Sequence, residues 1–407
     1  MVIFIFRFFL EPLDNLVIIL WFKGNRKGEA AIETFTPLNV SSKFAICGLP
    51  IRMDTYKTCS FGCKYCFANN RVIMEFDKHI QVANTSWLER RLHRVLVGGQ
   101  YDKTNFLDTL IANGITFHCG GMSDPFQPCE SKLGITGQCI DICNEYERTI
   151  LFSTKSDTVY GANIRPDLHT FQFSVTGAGK DIEPNVHDIE KRLQFFHELK
   201  KEGFRVGIRM QPFIPGITTL DVVRMFDGAD NFTLEGIKVV PQSERSQDLI
   251  FRQIGLDPND FIQMGLLNMK PDKRLVLYKP FVEYFEAHNI PYSIADNDLH
   301  YMGTNVCCCG DRLVAKSSGF DNTALLKKYG EDYSFADVTA ELASSGCSDC
   351  VCNHLFTSNR QEGCRTVWEF YKIRYPRPSS PFSPKFLYYE NTEERTGQMN
   401  LFDMEEA

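Results

Sequence analysis

The chain lacks any apolar run long enough to cross a membrane. Its most hydrophobic segment, Met1 to Phe22, is broken by Arg7, Glu11 and Asp14, and its longest clean stretch is Leu16 to Phe22. A spanning helix needs ~20 apolar residues, so no stable membrane insertion is expected. No basic leader or small-residue cleavage site frames this segment, so it does not read as a secretion signal. Residues 1–41 are read as an apolar extension with no function attached. Positive charge is not in surplus either: 44 Lys and Arg face 51 Asp and Glu, for a formal net charge of −7. That argues against a globally basic nucleic-acid binder while leaving room for a local basic groove.

What is present is ordinary globular composition, 43% hydrophobic and 23% charged, in a 407-residue chain long enough for two or three domains. The 15 cysteines stand in clusters. Without a secretory context they point to metal ligation in a reducing cytoplasm rather than to disulfides.

The most informative cysteines are Cys59, Cys63 and Cys66, in the run Thr-Cys-Ser-Phe-Gly-Cys-Lys-Tyr-Cys-Phe-Ala. Their C-x3-C-x2-C spacing lets three thiolates fold into one loop and cap three irons of a cubane. A [4Fe–4S] cluster ordinarily takes four thiolates, so the missing fourth leaves one iron for an external ligand. A zinc knuckle would need another Cys or His nearby. The next histidine, His79, comes thirteen residues after Cys66. With Tyr65 before its third cysteine, the triplet resembles the C-x3-C-x-aromatic-C signature of the radical S-adenosylmethionine (SAM) superfamily. The resemblance implies that SAM chelates the open iron and that an electron from the cluster cleaves its sulfonium to a 5′-deoxyadenosyl radical.

From about residue 42 to residue 300, short apolar runs alternate with helical stretches. Strands are expected at Ile51–Tyr56, Ile115–Cys119, Thr149–Thr154, Phe171–Val175, Arg205–Pro212, Gly236–Val240 and Tyr292–Ala295. Helices are expected at Trp87–Leu96, Gly134–Tyr146, Asp188–Glu202, Asp221–Gly228 and Arg274–His288. About six strand–helix units result. This is an α/β pattern in line with the parallel (β/α)6 partial TIM barrel that the radical-SAM resemblance implies for residues 42–300. Residues 301–375 form a Cys-rich extension, and 376–407 a Pro/Ser linker with an acidic tail expected to be disordered.

A narrower resemblance rests on further motifs: Ser123-Asp124-Pro125, Thr154-Lys155, Phe173-Ser174, Thr176-Gly177-Ala178-Gly179, Ile182-Glu183-Pro184-Asn185 and Ile214-Pro215-Gly216. Together they resemble the spore photoproduct lyase-like "DNA repair photolyase" branch of radical-SAM enzymes, over roughly residues 44 to 300. That likeness implies a SAM site in which Gly120, Gly121, Ser123 and Asp124 receive the amino group. Lys155 would meet the carboxylate, and Ser174 the carboxylate or ribose. Spore photoproduct lyases resemble one another in a hydrogen-donating cysteine two residues before this Ser; here Gly121 stands there, and Cys119 lies two residues further back. Cys119 is therefore a candidate thiol donor, with a buried core cysteine as the alternative. Arg209, alternating with Gly207, is expected either to face the lumen or to form a structural ion pair.

Two features lie beyond the barrel. Cys347, Cys350 and Cys352 with one or two of Cys307, Cys308 and Cys309 could build a second site, for an auxiliary iron–sulfur cluster or a zinc ion, with His354 as a further ligand. Three adjacent cysteines are not expected to point at one ion, and Cys308 is the member assigned. Near the chain end, Gln398-Met399-Asn400-Leu401-Phe402 resembles the Gln-x-x-Leu-Phe peptide that docks bacterial repair proteins on the sliding clamp. The expectation is thus a cytoplasmic radical-SAM enzyme, with lyase chemistry as one option. It would take electrons from a flavodoxin or ferredoxin and act on nucleic acid, as a DNA lesion or modified base. Modification of peptide or RNA, or a clamp-tethered iron–sulfur protein that binds or senses redox state without catalysis, are the alternatives.

Overall fold

The computed structural model describes residues 33–41, 47–71, 81–102, 105–264, 266–296, 298–305 and 307–318, with Ser334. The N-terminal apolar segment, His79, Cys347, Cys350, Cys352, His354, the Pro/Ser linker and Gln398–Phe402 lie outside the described residues.

Eight strands organise the chain: β1 (Leu38–Val40), β2 (Ile51–Met53), β3 (Phe117–Cys119), β4 (Ile150–Thr154), β5 (His169–Ser174), β6 (Arg205–Phe213), β7 (Phe232–Gly236) and β8 (Tyr292–Ile294). They lie side by side in chain order. The pairs from β2 to β8 are parallel, and β1 is antiparallel to β2. Among the described residues the edges β1 and β8 do not pair with each other, so the sheet is an open partial barrel. It has seven parallel strands rather than six units.

Parallel neighbours need long crossovers, and helices supply most of them. α1 (Phe67–Arg71), α2 (Thr85–Leu92) and α3 (Phe106–Ala112) lie between β2 and β3, and α4 (Ile135–Glu145) between β3 and β4. α5 (Ile189–Lys201), α6 (Leu220–Met225) and α7 (Pro271–Ala287) follow β5, β6 and β7 in turn. Asn84 starts α2 by accepting from the Trp87 N–H, and Asn105 starts α3 through the Asp108 N–H. Among the described residues no helix is long and apolar enough to cross a membrane.

Each strand sends alternate side chains to opposite faces. Met53, Phe117, Cys119, Phe152, Phe171, Phe173, Ile208, Met210 and Leu234 share one core with Leu88, Leu110, Ile140, Phe196 and Phe285 of the helices. Each such burial stabilises the fold by roughly 1.5–3 kcal/mol. The intervening residues are polar and bond to one another across the inner face: His118 Nε2 with Ser153 Oγ at 2.8 Å, and Gln172 Nε2 to Thr233 Oγ1 at 3.2 Å. This departs from the unbroken apolar runs of sheets that are dry on both faces, and marks a polar lumen.

One strand is displaced from its expected position. β7 ends at Gly236 rather than starting there, and Lys238–Val239 instead pairs antiparallel with Leu266–Met269, next to Phe261–Met264. At Gly236 the sheet meets α7 so tightly that an added Cβ would lie 2.9 Å from Arg274 Cδ. Beyond it, Ile237 and Val239 join a second core with Phe61, Cys63, Tyr65, Ile182, Leu249 and Phe261, which seats the cysteine loop.

Candidate active site at the carboxyl ends of the strands

The chain leaves β2 directly into the loop that carries Cys59, Cys63 and Cys66. Two other segments, around Gln127 and over residues 182–185, hold this loop. Gln127 accepts from the Ser60 N–H at 2.6 Å and donates to Thr58 O at 2.8 Å. Asn185 Nδ2 donates to Ser60 O at 2.9 Å, and the Lys64 N–H to Ile182 O at 3.0 Å. The Tyr65 hydroxyl donates to the Glu183 carboxylate. The turn itself is closed by Cys66 N–H on Cys63 O at 3.1 Å.

The three cysteines line one chamber, together with Tyr65, Gly120, Gly121, Ser123, Asp124, Lys155, Ser174, Arg209, Gln211, Glu235 and Lys238. All the SAM-site residues named from the sequence therefore meet in one place. Burial pushes the Cys59, Cys63 and Cys66 thiols up, Cys63 to about 12, where Lys155 acts the other way. Such thiols favour a bound cation as the partner for their ionised form.

The two segments beside the cysteine loop are built differently. Asp124 joins β3 to β4: its carboxylate accepts from Thr154 Oγ1 at 2.8 Å, Lys155 N–H at 2.6 Å and Phe126 N–H at 3.0 Å. Burial nevertheless raises its carboxyl to about 6. Ser123 Oγ donates to Tyr56 O at 2.5 Å. Both side chains thus shape the turn beside the cysteines as well as lining the chamber. Gly120 makes the turn possible, with φ of +103° and its backbone against Ser153 O.

On the other side, Lys155 Nζ lies 3.0 Å from Glu183 Oε1, 3.3 Å from Ser174 O and 5.6 Å from the centre of the Tyr65 ring. Thr176 Oγ1 donates to the same carboxylate at 2.9 Å. Burial pushes Glu183 up, but Lys155, Arg192 and the hydrogen bonds from Tyr65 and Lys155 outweigh it and hold the carboxyl below its usual range. Glu183 Oε2 is buried without a hydrogen-bond partner. Ser174 Oγ donates to Gln211 O at 2.9 Å.

Arg209 fulfils both of its expected alternatives. It lines the chamber and forms an ion pair with Glu235, which also takes Lys238. Burial weakens its charge, yet Glu235 and the thiols of Cys309 and Cys308 more than offset that and raise its pKa. Burial also lowers His118, with Arg209 adding to the effect, to about 4, so a neutral imidazole faces the lumen. Glu183, Glu235 and Lys238 are site residues that the sequence did not single out. Glu183 stood only within a family motif, and the other two carry no local signature.

Cys119 lies elsewhere. It is fully buried in the core between the sheet and α4, near Cys139 and Cys143, while its neighbour His118 faces the lumen. Its thiol is not among the groups lining the chamber. Cys308 is also placed differently from expectation. A turn from Cys307 to Gly310 brings the sulfurs of Cys307, Cys308 and Cys309 within 4.8 Å of one another, so adjacency in sequence does not keep all three from one point.

No family model matches this chain, and no curated protein does. Among solved structures it is similar to spore photoproduct lyase complexed with dinucleoside spore photoproduct, with a TM-score of 0.49 and 14% identity over 64% of this chain and 80% of that one. It is similar also to a variant of that lyase with bound AdoMet and the same dinucleoside, at 0.47 and 15% over 63% and 80%. Streptococcus suis SuiB bound to S-adenosylmethionine is a more distant likeness, at 0.39 and 12% over 64% and 54%.

Proposed function

We propose that this chain is a radical SAM enzyme whose chamber at the strand ends binds SAM beside a [4Fe–4S] cluster and abstracts hydrogen from a substrate carbon. The observation that carries this reading is the convergence of Cys59, Cys63 and Cys66 on one chamber with Gly120, Asp124, Lys155 and Ser174. The donor set fits the group: three thiols line the chamber and, among the described residues, no fourth thiol or imidazole does, which suits a cluster with one position left for a ligand. When bound to Cys59, Cys63 and Cys66, the cluster would supply the electron that splits the sulfonium of SAM.

The protein's own groups bind and orient. Lys155, held by Glu183, offers an ammonium to the SAM carboxylate. Backbone at Gly120 and Gly121, with the buried Asp124 carboxylate behind it, receives the amino group, and Ser174 faces the ribose side. The second core around Phe61, Ile182 and Phe261 closes the loop side against water. Arg209, Glu235 and Lys238 remain for the substrate, a charged set suited to a polar, anionic molecule.

The substrate class we favour is a DNA lesion or modified base. The support is the sequence resemblance of Ser123-Asp124-Pro125 and its companion motifs to the spore photoproduct lyase-like branch, and the clamp-type peptide Gln398–Phe402. A base within a duplex has to be flipped out to reach such a chamber. Docking on a sliding clamp and electron supply by a flavodoxin or ferredoxin belong to the same proposal. The test is anaerobic turnover with dithionite, SAM and either ultraviolet-irradiated DNA, RNA or a peptide pool. Stimulation of 5′-deoxyadenosine formation by irradiated DNA alone is the expected result. Stimulation by RNA or peptide instead would reassign the substrate.

A further inference from the structure

At the amino-terminal end of the same lumen, residues 307–313 form a plug built around three consecutive cysteines. Each of their carbonyls accepts from a different strand. Ser293 Oγ of β8 donates to Cys307 O at 3.2 Å, Thr233 Oγ1 of β7 to Cys308 O at 3.1 Å, and Gln172 Nε2 of β5 to Cys309 O at 3.2 Å. Asp311 Oδ1 accepts from the Cys307 N–H at 2.8 Å, and the Gly310 N–H closes the turn on Cys307 O at 2.9 Å. Gly310 has φ of +94° and sits so close to Asn231 that an added Cβ would lie 2.5 Å from its Cγ. The backbone is thus fixed from three sides.

The consequence is the convergence of three sulfurs within 4.8 Å. Among the described residues this is the one set of three thiols, imidazoles or carboxylates that meets that closeness. Around a tetrahedral ion with metal–sulfur bonds of about 2.3 Å, sulfurs lie about 3.8 Å apart, so these thiols are near the spacing of one ion's faces. Cys307 and Cys309 are 2% exposed. Arg209 Nη1 stands 3.9 Å from Cys309 Sγ and offers a positive neighbour to a site whose three thiolates exceed the charge of one divalent ion. A set of soft thiolates without carboxylates selects zinc-like or softer ions over magnesium or calcium.

We propose that Cys307, Cys308 and Cys309 form a tris-thiolate site for one thiophilic divalent ion of zinc type, distinct from the cluster loop. The ion locks the turn that donors from β5, β7 and β8 hold in place and, through Cys309, steadies Arg209 from below. Ion binding displaces the remaining thiol protons to solvent, with no change in oxidation state.

The test uses the full chain carrying Cys59→Ser, Cys63→Ser and Cys66→Ser, stripped of metal under anaerobic reducing conditions and titrated with Co2+. About one Co2+ per chain should give sulfur-to-metal charge-transfer absorption and tetrahedral ligand-field bands, both removed by Zn2+. Adding Cys308→Ser or Cys309→Ser should weaken Co2+ binding by at least about tenfold. An unchanged affinity and spectrum in both would place any ion elsewhere and overturn the proposal. Should those variants fail to fold, the unsubstituted plug still decides the matter. The half-buried Cys308 should be alkylated in the metal-free chain and protected by Zn2+, and an alkylation rate indifferent to Zn2+ would refute the site. Neither result depends on SAM cleavage, so the proposal stands or falls apart from the reaction at the chamber.

Discussion

Lys155 Nζ stands 3.0 Å from Glu183 Oε1, joining the end of β4 to the segment that clamps the cysteine loop. Both side chains are nearly out of solvent, at 12% and 2% exposure. A buried pair of this kind costs most when only one partner is lost. Glu183→Gln should therefore lower stability by about 3 kcal/mol, read from urea unfolding. Lys155→Met should raise the dissociation constant for SAM by at least about tenfold, the worth of one charge-assisted hydrogen bond. In the double variant part of the lost stability should return. Strict additivity of the two single effects would show that the residues do not act as a pair.

Gly120 and Gly121 provide an internal contrast. An added Cβ at Gly120 would lie 2.1 Å from the Ser153 carbonyl, at φ of +103°. At Gly121 it meets only the flexible Arg52 side chain at 3.3 Å. Gly120→Ala should cost about 3 kcal/mol or more, since strain and overlap combine. Gly121→Ala should cost under about 1 kcal/mol. Equal melting temperatures for the two variants would mean that the turn after β3 is not built as described.

Cys119 is placed where packing, not chemistry, decides its effect. Cys119→Ala should reduce stability by about 1–2 kcal/mol through a small cavity and leave 5′-deoxyadenosine formation and product identity unchanged. Cys119→Ser should cost more, because it buries a hydroxyl in an apolar layer. A reaction that stalls or yields a different product in Cys119→Ala, with the fold intact, would return this thiol to the mechanism.

The cysteine loop was legible from its own spacing, and Lys155 and Ser174, at the ends of β4 and β5, through the family motifs that they resemble. Glu183 was not, since it acts on the chamber through Lys155 of a distant strand, nor were Glu235 and Lys238, which line the chamber only once β7 has taken its place in the sheet. The misplaced β7 has a similar cause. Ile237, Val239 and Val240 are apolar and β-branched around Lys238, whereas the true strand carries Thr233 and Glu235, whose side chains are polar because they face a lumen. The convergence of Cys307 to Cys309 depends on donors from β5, β7 and β8, and no spacing rule for adjacent cysteines contains them.

His169 sets a pH dependence of stability. It is fully buried, its Nδ1 accepts from the Arg165 N–H at 2.9 Å, and its Nε2 has no partner. Burial lowers it to about 4. The unfolded chain takes up this proton near pH 6.5, so the folded state loses stability as pH falls from about 6.5 to 4 and the loss levels off below that. The contribution is about 3 kcal/mol across the window. His169→Asn, which keeps an acceptor for the Arg165 N–H, should flatten the unfolding free energy against pH in that range. A parallel curve for wild type and variant would contradict the assignment.

Cys59, Cys63 and Cys66 are proposed to serve reductive SAM cleavage. The direct measurement is 5′-deoxyadenosine formed anaerobically, after reconstitution with iron and sulfide, in the presence of dithionite and SAM, for wild type and Cys63→Ala. Formation by the wild type alone is the predicted result. A wild-type chain that holds a reduced cluster and binds SAM yet yields no 5′-deoxyadenosine would contradict it and favour a structural or redox-sensing role for the cluster.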